Sequence, residues 1–451
     1  MPSSAVGKAA VIYAYYERMA IKMENPTAGY SKAIITPPFG TLLSGYACVR
    51  RAENIHDDLF ARVVTIKMDE TFIIVQLDLL MVSDKFIAAL CDLLEKKYCI
   101  NSKNVFVSCI HTHSGPMDET VGGGYFDMSV GDGPIAQNVL KQIVWCAGQA
   151  LSNLCEFKLS SEKSHLRGIG LNRRDPSIPI DDSLFVLSLN RTDGKKIVMY
   201  NYACHPTIMN AKNKAVTADY PGQAAKILES QEPVVCALFL NGACGDVSTR
   251  FTRKEPSFSE VVRIGSILGG EVLKLLNSGS SQFPLTVLKS ASDCIEVKIK
   301  ALPSLDEAKS ALSKALEKKD AAEKGHMEKG KLRLIQSAYE GALMNLETVK
   351  NIGSQKSIKF QMKALKINDI FFVYIPGELF TSLSLKLKGS FSGLDVNIVC
   401  YGNGNYSYIP DRRAYDEGGY ETMTALFAPG EGEKIIDTAV SLIESMQKAF
   451  K

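Results

Sequence analysis

The chain has 451 residues, ample for a large hydrophobic core and long enough for two or three domains or one large α/β unit with an insertion. Its hydrophobic fraction of 46% and charged fraction of 22% exclude a disordered, collagenous or coiled-coil rod. Fifty-two Lys and Arg against 49 Asp and Glu leave a net charge of +3, too balanced for nucleic acid or an acidic membrane to be the main partner. No uncharged apolar run reaches the ~18 residues that cross a bilayer. The stretch from Met1 to Pro26 lacks the layout of a secretion signal, since Tyr13, Glu17, Arg18 and Lys22 interrupt it. Eleven cysteines, with no CxxC and no paired Cys/His spacing, read as buried thiols suited to a reducing cytoplasm.

Taken in order, residues 1–27 form an N-terminal extension, and residues 28–451 form the main domain. Val63–Lys67 and Thr71–Leu77 are β-branched runs joined by a polar turn, which predicts a hairpin. Ser83 is placed to cap a helix running to about Tyr98. Val105–Cys109 reads as a short buried strand and Ala136–Leu154 as a long helix. Phe185–Leu189 and Lys196–Tyr202 flank the turn at Asp193-Gly194, a second hairpin. A helix near Gly222–Glu229, a strand at Val234–Leu240 and a helix at Glu260–Leu276 then alternate. This pattern predicts an α/β fold, a mixed sheet flanked by helices. Between residues 304 and 350, Leu305, Ala308, Leu312 and Leu316, then Leu332, Ile335 and Leu343, recur at helical spacing amid Lys and Glu. That segment is expected to be an antiparallel helical hairpin inserted into the sheet domain as scaffold. Strands resume at Ile358–Ile367 and Ile370–Ile375.

Only six histidines are present, and two fall in His111-Thr112-His113-Ser114-Gly115-Pro116, directly after the strand Val105–Cys109. Residues i and i+2 of a strand share a face, so His111 and His113 are expected to converge at a sheet end, where α/β folds bind ligands. His205, followed by Pro206, ends the strand that runs through Lys196–Cys204. Three imidazoles at the ends of two strands make a candidate metal set. Glu378 follows Ile375-Pro376-Gly377 in the same structural position; it is either a carboxylate ligand or a helix N-terminal acid serving the dipole. The loop Gly245-Asp246-Val247-Ser248 lacks a nucleophile elbow, so Asp246 and Ser248 are expected to hold the loop together. Gly122-Gly123-Gly124 is a weak phosphate-cradle signal.

These motifs together resemble the neutral, non-lysosomal ceramidase family. The resemblance runs through Ile34-Ile35-Thr36-Pro37-Pro38-Phe39-Gly40, Ile55 to Arg62, His111 to Pro116, Asn172-Arg173, Asn201 to Thr207, Gly245 to Ser248, Pro376-Gly377-Glu378 and Gly419-Tyr420-Glu421. It implies a zinc amidase. By the resemblance, the metal ligands are His111, His205, Glu378 and Tyr408, with Tyr406 as the rival phenol. It places His113, Arg173 and Tyr420 around the scissile amide, with Arg173 and Tyr420 as oxyanion donors and His113 as the proton shuttle. The implied cofactor is Zn2+, and the implied partner is a small-molecule or lipid N-acyl amide, ceramide being the family's type substrate. The family's β-sandwich domain has no counterpart before Lys451, and Thr249 and Thr422 depart from the family motifs. Those departures leave two further expectations open: a relative acting on a small soluble metabolite, and a non-catalytic binding relative.

Overall fold

Alternate residues of the strand Thr71–Leu77 enter two different cores. Ile73, Val75 and Leu77 face one that also contains Phe86, Leu90 and Leu94 of the helix Asp84–Tyr98. Phe72 and Ile74 face a second core, together with Phe372 and Tyr374 of another sheet. The two-residue period of a strand therefore generates a layered architecture, with helices on one face of a sheet and a second sheet on the other. The computed structural model describes residues 25–118, 130–325 and 327–448; Gly122-Gly123-Gly124, His326 and the first 24 residues lie outside it.

The main sheet has eight strands in the order Val234–Asn241, Lys196–Tyr202, Ser183–Arg191, Cys155–His165, Thr27–Ile34, Phe60–Lys67, Thr71–Leu77 and Val105–Cys109. The outermost pairs, Val234–Asn241 with Lys196–Tyr202 and Thr71–Leu77 with Val105–Cys109, are parallel, and the remaining pairs are antiparallel. It is the mixed sheet that the alternation predicts. Both predicted hairpins form, with Lys67 opposite Thr71 and Asn190 opposite Lys196. Ser83 caps the helix Asp84–Tyr98 by accepting from the Phe86 amide. The second sheet runs Leu288–Lys298, Ser357–Ile367, Ile370–Ile375 and Asp395–Cys400, the last pair parallel. Asn201 stitches the sheets together: its buried amide donates to Leu240 O and Ile398 O, each at 2.8 Å.

Leu305–Lys324 and Lys329–Ile352 are two long helices lying between the paired strands Leu288–Lys298 and Ser357–Ile367. A capping box at Ser304 and Glu307 starts the first. The second packs closely on the short helix Tyr420–Thr424: a Cβ on Gly341 would stand 2.5 Å from Met423 Sδ. This helix forms a wall of the cavity that holds the candidate site, so the expectation that the hairpin serves as scaffold alone is corrected.

A buried ion cluster ties the sheet to the helix Asp219–Glu229. Arg62, 2% exposed, donates to Asp78 at 3.0 Å and to Glu229 at 3.0 Å, and Gln76 donates to Asp78. Removing the cation from such a set leaves buried carboxylates uncompensated. Arg62→Met is therefore expected to destabilise the fold by roughly 3–5 kcal/mol. Urea unfolding followed by circular dichroism checks this; an unchanged midpoint would contradict it.

Candidate metal centre and active site

Four chain segments converge at one end of the sheets. The first is the loop after Val105–Cys109. Its residue His111 adopts φ of 72°, a left-handed conformation that a non-glycine residue takes only when its surroundings impose it. The rings of His111 and His113 do converge, with centroids 4.8 Å apart and nearly perpendicular. The strand pleat is not the cause, because the strand stops at Cys109 and the turn beyond it sets both directions. The second segment carries His205, whose backbone pairs in parallel with Ser248. The third is Glu378–Leu379, a two-residue strand paired with Tyr408–Ile409, the fourth segment. The helix after Glu378 begins only at Thr381, so the carboxylate is free to face the histidines instead of capping it.

Hydrogen bonding fixes which ring nitrogens face inward. Nδ1 of His111 lies 3.0 Å from Leu80 O, and Nδ1 of His205 lies 2.5 Å from Cys244 O. A carbonyl only accepts, so both Nδ1 atoms carry the hydrogen and both Nε2 atoms present a lone pair. Oε2 of Glu378 stands 3.1 Å from His205 Nε2 and 3.6 Å from His111 Nε2. Yet His205 Nε2, fully buried, makes no hydrogen bond. Ligand atoms on a tetrahedral zinc are separated by ~3.3–3.5 Å, given metal–ligand distances near 2.0–2.2 Å. One ligand atom each from His111, His113 and His205 lies within 4.8 Å of the others. The donor set, the orphaned nitrogen and the spacing thus fit a divalent metal of zinc type.

Electrostatics point the same way. Burial pushes the imidazoles of His111 and His113 well below the usual histidine range, and pushes His205 down to about 3. All three are neutral and able to ligate. Burial also raises the carboxyl of Glu378, an effect opposed by His111, Arg173 and Tyr408.

Tyr408 accepts a hydrogen bond of 2.9 Å from Nη2 of Arg173, and its ring lies roughly parallel to that of His205 at 6.5 Å. Arg173 is held in turn by Glu421 at 2.8 Å. The Tyr420 ring meets Tyr408 edge-on at 6.0 Å and lines the same cavity. The rival Tyr406 directs its hydroxyl elsewhere, donating to Asp84 at 2.8 Å. His111, His113, Arg173, Glu378, Tyr408 and Tyr420 line one cavity, and His205 lies behind that lining, 3.1 Å from Glu378.

The loops are locked from behind. Asp246 accepts from the Thr381 amide at 2.8 Å and from Asn172 at 2.7 Å, and its carbonyl accepts from the Arg173 amide at 2.7 Å. One side chain therefore ties the Glu378 and Arg173 segments to the loop beside His205. The Oγ of Ser248 accepts from the Arg250 amide at 3.2 Å. Gly245 permits the close approach, since a Cβ there would sit 2.3 Å from Glu378 O. Sequence reasoning missed Tyr401, whose ring stacks on His111 at 3.8 Å and whose hydroxyl donates to Glu378 at 3.4 Å. It also missed Glu421 as the anchor of Arg173; neither residue stands out without its spatial partners.

The family model described as neutral/alkaline non-lysosomal ceramidase, N-terminal, matches residues 27–255. The chain belongs to this family. Among curated members, this ceramidase-family chain is 27% identical to a neutral ceramidase of Drosophila melanogaster over 230 residues. A neutral ceramidase of Drosophila pseudoobscura pseudoobscura is 26% identical over the same length. Each match covers 45% of this chain and 32% of the relative, so it spans about a third of the relatives' length. In fold the ceramidase-family chain is similar to the crystal structure of neutral ceramidase from Pseudomonas aeruginosa, with a TM-score of 0.73 and 19% identity, covering 93% of this chain and 75% of that one. A ceramidase complexed with C2 matches with a TM-score of 0.72 and 17% identity, covering 94% of this chain and 76% of that one.

The depressed histidines give the metal-free protein a defined acid response. A histidine whose folded pKa lies below its unfolded value of 6.5 leaves stability untouched above that pH. As the pH falls, the unfolded chain takes up protons that the folded chain refuses. Chelated protein should therefore lose stability progressively below pH 6.5, and for His205 the loss should level off near pH 3. Denaturant titrations at several pH values test this. His205→Gln should flatten the slope; an equal slope in the variant would contradict it.

Proposed function

We propose that this chain is a zinc-dependent hydrolase of N-acyl amides, with His111, His205, Glu378 and Tyr408 as the metal set. The observation that carries this reading is the shared focus of two imidazole lone pairs and one buried carboxylate on the wall of a cavity of about 1540 Å³. A zinc held there supplies a Lewis acid and lowers the pKa of water to about 7. His113, kept neutral by burial, accepts a proton and returns it to the departing amine. Arg173 fixes Tyr408 and places positive charge next to it, which favours the ionised phenol against the effect of burial. Tyr420 presents its hydroxyl beside Tyr408, where the amide oxygen gains charge. The cavity has room for a long amphipathic amide, ceramide being the family's example. Eleven free thiols support a reducing, cytoplasmic location.

The test is release of free amine from a panel of N-acyl amides that includes ceramide. Activity should disappear with a chelator and return with added zinc. Tyr420→Phe should keep its metal and lose turnover by about 100- to 1,000-fold with little change in KM. Loss of metal from that variant would move Tyr420 into the coordination shell. Full activity in the presence of chelator would refute the zinc reading.

A further inference from the structure

The cavity has two chemically different ends. Its wall follows the helix Lys329–Ile352 from Arg333 to Ile352, a rise of roughly 28 Å at 1.5 Å per residue. Toward the C-terminal half of that helix Met344, Ile352, Met423, Leu426 and Val82 supply apolar lining, interrupted by Glu347, Thr348 and Asn351. At the other end stand Arg250, Arg253 and Arg333.

These cations differ in how they are satisfied. Arg333 forms a two-pronged pair with Glu340 at 2.8 and 2.9 Å, and Arg173 and Arg174 share Glu421. Arg250 and Arg253 line the cavity, and among the described residues no carboxylate lies within ion-pairing distance of either. Arg253 donates to Thr207 O, in the loop just after His205-Pro206, and Arg250 rests over the ring of Phe251. Lys212 adds a third cation on the same lining without a carboxylate partner. The Arg250 guanidinium is held below its usual range by partial burial and by Arg333, Arg173 and Arg253. Arg250 and Lys212 are exposed and Arg253 is half-buried, and clustered like charges of this kind attract an anion.

Their position identifies which part of an amide they would meet. Tyr46, whose hydroxyl donates to Met209 O in the Thr207–Met209 loop, packs its ring 5.0 Å from that of His113. Arg253, which donates into that loop, therefore lies on the His113 side of the centre, the side assigned above to the departing amine, with Arg250 three residues before it in the chain. We propose that the substrate of this site is an N-acyl amide whose amine half carries an anionic group, such as the carboxylate of an N-acyl amino acid, bound by Arg250 and Arg253. The hydrocarbon chain then occupies the Met344–Ile352 end. This rests on the amide-hydrolase reading above and narrows its substrate class. The planar fork of arginine suits a carboxylate or a phosphate, and two forks on adjacent loops can hold one anion.

The test separates binding from turnover. N-(dodecylsulfonyl)glycine and N-(dodecylsulfonyl)glycinamide are nearly isosteric and differ in charge, and in both a sulfonamide replaces the scissile N-acyl bond. Calorimetry with the purified full chain should give the carboxylate roughly 10- to 100-fold tighter binding than the carboxamide. That ratio should shrink as salt is raised. In Arg250→Gln, and further in Arg250→Gln/Arg253→Gln, it should approach one. Turnover is then measured on N-dodecanoylglycine and N-dodecanoylglycinamide. Equal binding of the charged and neutral probes, or a ratio untouched by salt and by both variants, overturns the anionic reading even if both amides are cleaved. A clear preference for the carboxylate supports it even if neither amide is cleaved, an outcome that would count against the hydrolase reading alone.

Discussion

The site turns on one electrostatic problem. A carboxylate oxygen of Glu378 faces the lone pairs of His111 and His205 inside a medium that excludes water. Lone pairs and negative charge at such distances repel; burial keeps both imidazoles neutral and raises the carboxyl of Glu378, so the ionised carboxylate is unfavourable there without a counter-charge. A cation at the common focus resolves it at once. Under the proposed reading the metal adds a further tie between three segments distant in sequence that the surrounding contacts already bring together.

Much of the surrounding structure keeps that arrangement from relaxing. Leu80 O and Cys244 O hold the two Nδ1 atoms, so neither ring can turn its lone pair away. Asp246 joins three loops through one carboxylate, and Gly245 removes the side chain that would separate them. Left-handed backbone at His111, Tyr401, Asn403 and Ser407 falls in the two loops that meet beside the centre. Strain of that kind persists only where packing imposes it, and here it aims His111 inward and lays Tyr401 against it. The opposite wall, from the helix Lys329–Ile352, contributes no ligand but sets the length and polarity of the cavity.

Legibility in the sequence follows the range of each interaction. The helix cap at Ser83, the hairpin at Lys67–Thr71 and the buried strand Val105–Cys109 depend on neighbours in the chain, and periodicity reveals them. His111, His113 and His205 are legible because histidine is rare in this chain and because strand ends are where α/β folds bind. The resemblance added Tyr408 and Arg173, which spacing alone does not distinguish from ordinary surface residues. Tyr401 and Glu421 stayed hidden: one acts by stacking on a ring 290 positions away in sequence and the other by pairing with an arginine 248 positions away. The inserted helices were recognisable as helices, yet their amphipathic pattern says nothing about which cavity they close. Arg250 and Arg253 show the same limit, since only the fold reveals that no carboxylate meets them.

The proposed function stands on a zinc held by imidazole and oxygen donors alone. Zinc-edge X-ray absorption of the purified protein addresses it directly, because Cys204 and Cys244 flank the site and a thiolate ligand would be unmistakable. The account predicts about one zinc per chain, with nitrogen and oxygen neighbours near ~2.0–2.2 Å and multiple-scattering features of at least two imidazoles. Absence of zinc, or a sulfur shell near ~2.3 Å, would contradict it.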